Sequence, residues 1–143
     1  MMLSWHDHLM IVPIVLPMLV AGFMLLLGEG RATAKAVVNV VATVALLAVA
    51  IALLRQADTG PVRVAVYLAA NWPAPFGIAL ALDRLSAIML LLTAIMALGS
   101  LLYSLARWHR AGVHFHPLFQ LQLMGLNGAF LTGDLFNLFV FFE

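Results

Sequence analysis

No charged residue interrupts the chain between Leu9 and Leu27. An apolar run of that length can cross the hydrocarbon core of a bilayer as a single helix. Two more uncharged runs, Ala36–Leu54 and Leu85–Ala106, repeat the pattern. Charged residues make up 9% of the whole chain, against about 25% in a soluble domain. The reading is an all-α polytopic membrane protein. The start does not read as a cleavable leader, because Met1–Leu9 carries Trp5, His6, Asp7 and His8 but no Lys or Arg. A net charge of +1 without a basic run argues against nucleic acid as a partner. With no cysteine, disulfides and thiolate metal sites are excluded.

In the first apolar run, Pro13 and Pro17 each remove a backbone donor, which a membrane helix tolerates when neighbours satisfy the freed carbonyls. Gly28–Lys35 reads as a polar turn. In the second run Asn39 and Thr43 stand four apart on one face, the mark of helix–helix contact. Val62–Leu68 and Ile78–Leu82 alternate as strands do, and Asn71–Gly77 holds two prolines and a glycine. They read as a β-hairpin on the membrane surface between helices two and three, with Tyr67 and Trp72 at the headgroups. A hairpin alone is marginal, so it is expected to rest on a neighbouring helix or another polypeptide of a complex. Asp83 opens the third helix as an acid favoured by the helix dipole, with Arg84 in the first turn.

Arg107–His116 reads as a basic, aromatic interfacial loop. Its His114 and His116, like His6 and His8, make no metal site in this reading. Pro117 suits the first turn of a fourth helix that runs to Leu131 and carries Gln120 and Asn127, seven apart on one face. Amides in lipid must bond internally, so this helix is either buried among others or lines a hydrated cavity.

The last stretch, Thr132–Glu143, sets an acidic turn before an apolar run that stops on a carboxylate. If Asp134 caps a helix at the membrane edge, Glu143 lies about 13 Å further in, near the middle of a core about 30 Å thick. A carboxylate at that depth is a functional candidate. The count is four spans and the first half of a fifth. Arg31, Lys35, Arg107 and Arg110 on one side, against Arg55, Arg63 and Arg84 on the other, weakly favour an extracytoplasmic N-terminus.

Asn71–Ile78 with Asp83-Arg84-Leu85-Ser86, and more specifically Thr132–Glu143, resemble the D-type subunits of the multisubunit Mrp-type cation/proton antiporters. That family is homologous to the antiporter-like subunits of respiratory complex I. The resemblance implies an N-terminal piece of a proton-translocating domain in the cell membrane, with other antiporter subunits and lipid as partners. It implies exchange of H+ for Na+ or K+. It also implies that Glu143 carries the proton and pairs with a lysine on a later helix. Gln120 and Asn127 are candidates for a water chain toward it, and no cofactor is expected. The family continues past this glutamate, so these residues are expected to be a fragment or a truncated gene product, inactive alone.

Two other readings stay open. One is a proton-pumping membrane subunit of an NADH:quinone oxidoreductase or membrane hydrogenase. Its chemistry would lie in other subunits, because this chain has no glycine-rich nucleotide loop and no cysteine for clusters. The other is a non-transporting scaffold or remnant.

Overall fold

The computed structural model describes residues 8–60, 63–69, 72, 77–107 and 112–143. The elements run α1 (Val12–Leu26), α2 (Ala32–Thr59), β1 (Ala65–Leu68), β2 (Ala79–Leu82), α3 (Arg84–Arg107), α4 (Phe115–Leu131) and α5 (Leu135–Phe142). Helices α2 and α3 are long and apolar enough to cross a membrane; α1 is a shorter apolar helix.

Helix α1 buries Pro13, Pro17, Ala21 and Met24, a single stripe that faces α4. Pro13 sits in the first turn, where a missing N–H costs nothing. Pro17 lies inside the helix and cannot donate to the carbonyl of Pro13. Asn127 Nδ2 of α4 donates to that carbonyl instead, at 2.9 Å. The notch cut by one proline is filled by one amide.

Helices α2 and α3 pack through small residues, which let backbones approach closely. The buried stripe of α3 includes Ala87, Ala94 and Ala97, and that of α2 includes Ala36, Ala42 and Ala50. Their outer faces show Val37, Val41, Leu92, Ile95 and Met96, the surface of a helix that meets lipid. Asp83 accepts from the backbone N–H of Ser86 at 2.6 Å, and that bond chiefly holds its carboxyl below the usual carboxylate range. Arg84 pairs with Asp58 at the end of α2, so it does not answer Asp83.

Strands β1 and β2 pair antiparallel, from Ala65 opposite Leu82 to Leu68 opposite Ala79. Tyr67, Leu80 and Leu82 point into a core with Met10, Ala50, Leu53, Leu90 and Leu131. Tyr67 is therefore turned inward and not displayed at the surface, whereas Trp72 is exposed. The outer edge of β2 also pairs with the corner after α4: Leu80 bridges Thr132, and the Gly133 N–H donates to the Ala79 carbonyl at 2.9 Å. These contacts supply the support that two short strands lack by themselves.

Several boundaries differ from the sequence reading. Lys35 lies in the first turn of α2, not in the preceding loop, and is 3% exposed. Helix α2 runs on through Arg55 to Thr59. His116 belongs to α4 and is buried, because the helix starts before Pro117 and not at it. The turn residues 71 and 73–76, residue 62, residues 108–111 and the first histidine, His6, lie outside the described residues.

Candidate functional site

The corner between α4 and α5 is tied by backbone and short polar side chains. Helix α4 ends as Thr132 turns extended, its N–H still bonded to Gly128. Asp134 is extended as well, and its Oδ1 accepts from the Phe136 N–H at 3.2 Å. That is an N-cap, satisfying one of the donors a helix start leaves open. Thr132 Oγ1 donates to the Asp134 carbonyl at 3.2 Å, which tightens the same turn. Helix α5 therefore starts at a defined place and angle and runs back along α4.

Two glycines let it do so closely. Phe141 lies against Gly128, and a Cβ there would collide with its ring; a Cβ at Gly125 would stand 3.0 Å from the Phe141 carbonyl oxygen. Just beyond Phe141, Glu143 is exposed, its N–H bonded to Phe139. The carboxylate lines an open crevice of about 480 Å³ with Gln122, Gly125, Ala129 and Val140. Leu135, Phe136 and Phe139 on the free side of α5 are exposed and apolar. Glu143 stands about 13 Å along the helix from its cap, in a crevice whose other polar side chain is Gln122.

The amides of α4 lie elsewhere. Gln120 and Asn127 occupy the face turned to α1 and α2, whereas Gln122, Gly125 and Ala129 occupy the opposite face. Asn127 meets the Pro13 carbonyl. Gln120, fully buried, donates through Nε2 to Asn39 Oδ1 at 2.6 Å and to Thr43 Oγ1 at 3.2 Å. Asn39 Nδ2 donates to His116 Nδ1 at 2.9 Å. Thr43 Oγ1 donates to the Asn39 carbonyl at 2.8 Å. The structure thus joins Gln120 with Asn39, Thr43 and His116, and does not join it with Glu143. The one signal for this cluster was its spacing: Asn39/Thr43 and His116/Gln120 are both four apart, as neighbours on a helix face are.

No protein-family model matches the chain. It is 53% identical to a probable K+/H+ antiporter protein of the D type from Rhizobium meliloti (strain 1021), over 99% of this chain and 27% of the relative. It is 37% identical to the corresponding D-type protein of a Na+/H+ antiporter from Alkalihalophilus pseudofirmus, over 96% of this chain and 28% of the relative. The chain thus spans about a quarter of the length of the curated relatives it matches. Its fold superposes on a chain of the Mrp complex from Dietzia sp. DQ12-45-1b with a TM-score of 0.87 and 31% identity, covering 97% of this chain and 25% of that one. The archaeal membrane-bound sulfane sulfur reductase gives 0.84 and 26% identity, covering 92% of this chain and 27% of that one. Sequence and fold together make this chain a homologue of the D-type subunits of Mrp-type cation/proton antiporters, along about a quarter of their length.

Proposed function

We propose that this chain contributes to a monovalent cation/proton antiporter, exchanging H+ for Na+ or K+ alongside other subunits in the cell membrane. Glu143 is the proton-carrying carboxylate. The observation that carries this is a carboxylate nine residues beyond a capped helix start, opening on a crevice beside α4. The match over nearly the whole chain to proteins named as antiporter subunits supports the same reading.

The chemistry needs two opposed influences on one group. Desolvation favours the protonated acid, and a cation brought near favours the carboxylate. A lysine on a later helix, as the family resemblance implies, would supply that cation and make proton uptake and release alternate. Fixed geometry helps, since Asp134, Gly125 and Gly128 hold α5 against α4 and so hold Glu143 at one depth. The basic residues weakly favour an orientation with the N-terminus and the hairpin outside and the Arg31 loop inside.

In the intact complex, Glu143→Gln should abolish cation-dependent proton flux in membrane vesicles while the complex still assembles. Normal flux in that variant would sink the proposal. A respiratory role is the second reading, favoured by the fold match to the archaeal respiratory complex. Proton flux driven by a redox substrate, with no response to Na+ or K+, would select it.

A further inference from the structure

The bonds around Asn39 have a direction. An amide Nδ2 can only donate, so His116 Nδ1 accepts and the imidazole is neutral, its proton on Nε2. Gln120 Nε2 donates in turn to Asn39 Oδ1. The string therefore runs from Gln120 through Asn39 to His116. At its far end Gln120 Oε1 is buried without a hydrogen-bond partner. Exchanging nitrogen and oxygen in both amides leaves every heavy atom in place and reverses the string. Reversed, it would offer His116 an acceptor, and Gln120 Oε1 would gain the Asn39 Nδ2 donor it now lacks.

We propose that His116, Asn39 and Gln120 form a buried proton-binding site with two hydrogen-bond polarities. One proton from water adds to His116 Nδ1. Asn39 turns its Oδ1 to accept that proton's bond, and its Nδ2 then donates to Gln120 Oε1. Turning Gln120 gives up the bond from its Nε2 to Thr43 Oγ1, and release of the proton reverses each turn and restores that bond. The site rests on the proton-transport reading for its purpose but not for its existence.

The surroundings suit a site that fills and empties. Lys35, buried one turn nearer the loop on α2, opposes a second positive charge on His116. Helix α1 supplies no titratable side chain between Val12 and Leu26. Arg107 at the end of α3, and Glu29 and Arg31 in the loop before α2, are exposed, as is His114 on α4's own flank. The site lies at the end of the bundle away from the hairpin, and on the face of α4 opposite Glu143. It thus adds a second titratable group at a different depth.

The test is a 15N-imidazole titration of the full-length protein in lipid nanodiscs from about pH 5 to about pH 9, the range in which histidine changes charge. His116→Gln assigns the signal by its loss. We expect His116 to titrate within this range and to bind on Nδ1. Asn39→Asp should hold the proton to higher pH by about one unit or more, and Asn39→Leu, which offers no acceptor, should shift it the other way. A clamp that only packs helices would move neither. An imidazole that keeps one protonation state throughout, or a midpoint unmoved by both Asn39 variants, overturns the proposal. Because the readout is the imidazole itself, it stands whatever Glu143→Gln does to flux.

Discussion

Gln120 and Gln122 stand two residues apart on α4 and meet opposite surroundings. Gln120 is fully buried and bonded to Asn39 and Thr43, whereas Gln122 is exposed and opens on the crevice that Glu143 lines. One face of the helix is closed by polar partners from α2 and by Asn127 against α1. The other holds two glycines, a packed ring and a carboxylate without a partner among the described residues. The contrast separates two uses of polarity at membrane depth. Satisfied amides knit helices together, because hydrocarbon offers them no other bond. The carboxylate on the open wall takes no part in that knitting.

The sharpest way to break this contrast is Glu143→Gln, which should remove flux outright while the purified complex keeps its unfolding temperature. If stability fell with activity, the open face would be structural after all. Next comes Gly128→Val, whose added carbons meet the Phe141 ring. Overpacking of this kind costs about 1–3 kcal/mol and should pull α5 off α4. Combining it with Phe141→Ala should recover thermal stability if that contact is the cause.

On the closed face, Asn39→Leu removes the shorter of the Gln120 Nε2 bonds and the bond to His116, and should lower stability by about 1–3 kcal/mol. Adding Gln120→Leu should then cost less than it does alone, since the partners act together. Equal, additive losses would show that the cluster is not one network. Asn127→Leu is a smaller change, about 1 kcal/mol, and it carries its own suppressor. Pro17→Ala restores the N–H that the Pro13 carbonyl lacks, so the Asn127 variant should lose little in that background.

The smallest effect lies at the bundle end. Asp83 has its carboxyl held below the usual range, so the bond to Ser86 stabilises α3 above the carboxyl's unfolded pKa. That contribution fades as pH falls through the lower, folded value. Asp83→Ala should therefore lower the unfolding temperature slightly at neutral pH and not at all in strong acid, by circular dichroism.

Much of this architecture was legible in residue order. The uncharged runs placed α1, α2 and α3, and the alternation around Tyr67 and Ala81 placed the hairpin. Asp134 before an apolar run marked the start of α5. Legibility failed where an isolated residue type has two meanings. Lys35 and His116 looked like loop residues because charge and imidazole favour interfaces, yet both are buried in helices whose ends lie further out. Tyr67 looked like a headgroup anchor because nothing local shows which side of a two-stranded ribbon meets the core. The sharing of Gln120 and Asn127 on one face was visible as spacing; which neighbour that face meets was not.

By itself, then, the sequence determined an apolar helical chain, the order of its segments and a carboxylate nine residues behind a capped turn. Those follow from local rules: transfer free energy, the 1.5 Å rise of a helix and the chemistry of caps. Only the tertiary structure decided that Asn127 would close the gap left by Pro17, and that Gly125 and Gly128 would seat Phe141. It alone turned Gln120 toward Asn39 and His116 and away from Glu143. Contacts between segments far apart in the chain depend on how helices rotate against one another. That rotation is set by all the side chains at the interface together, and no short stretch of sequence contains it.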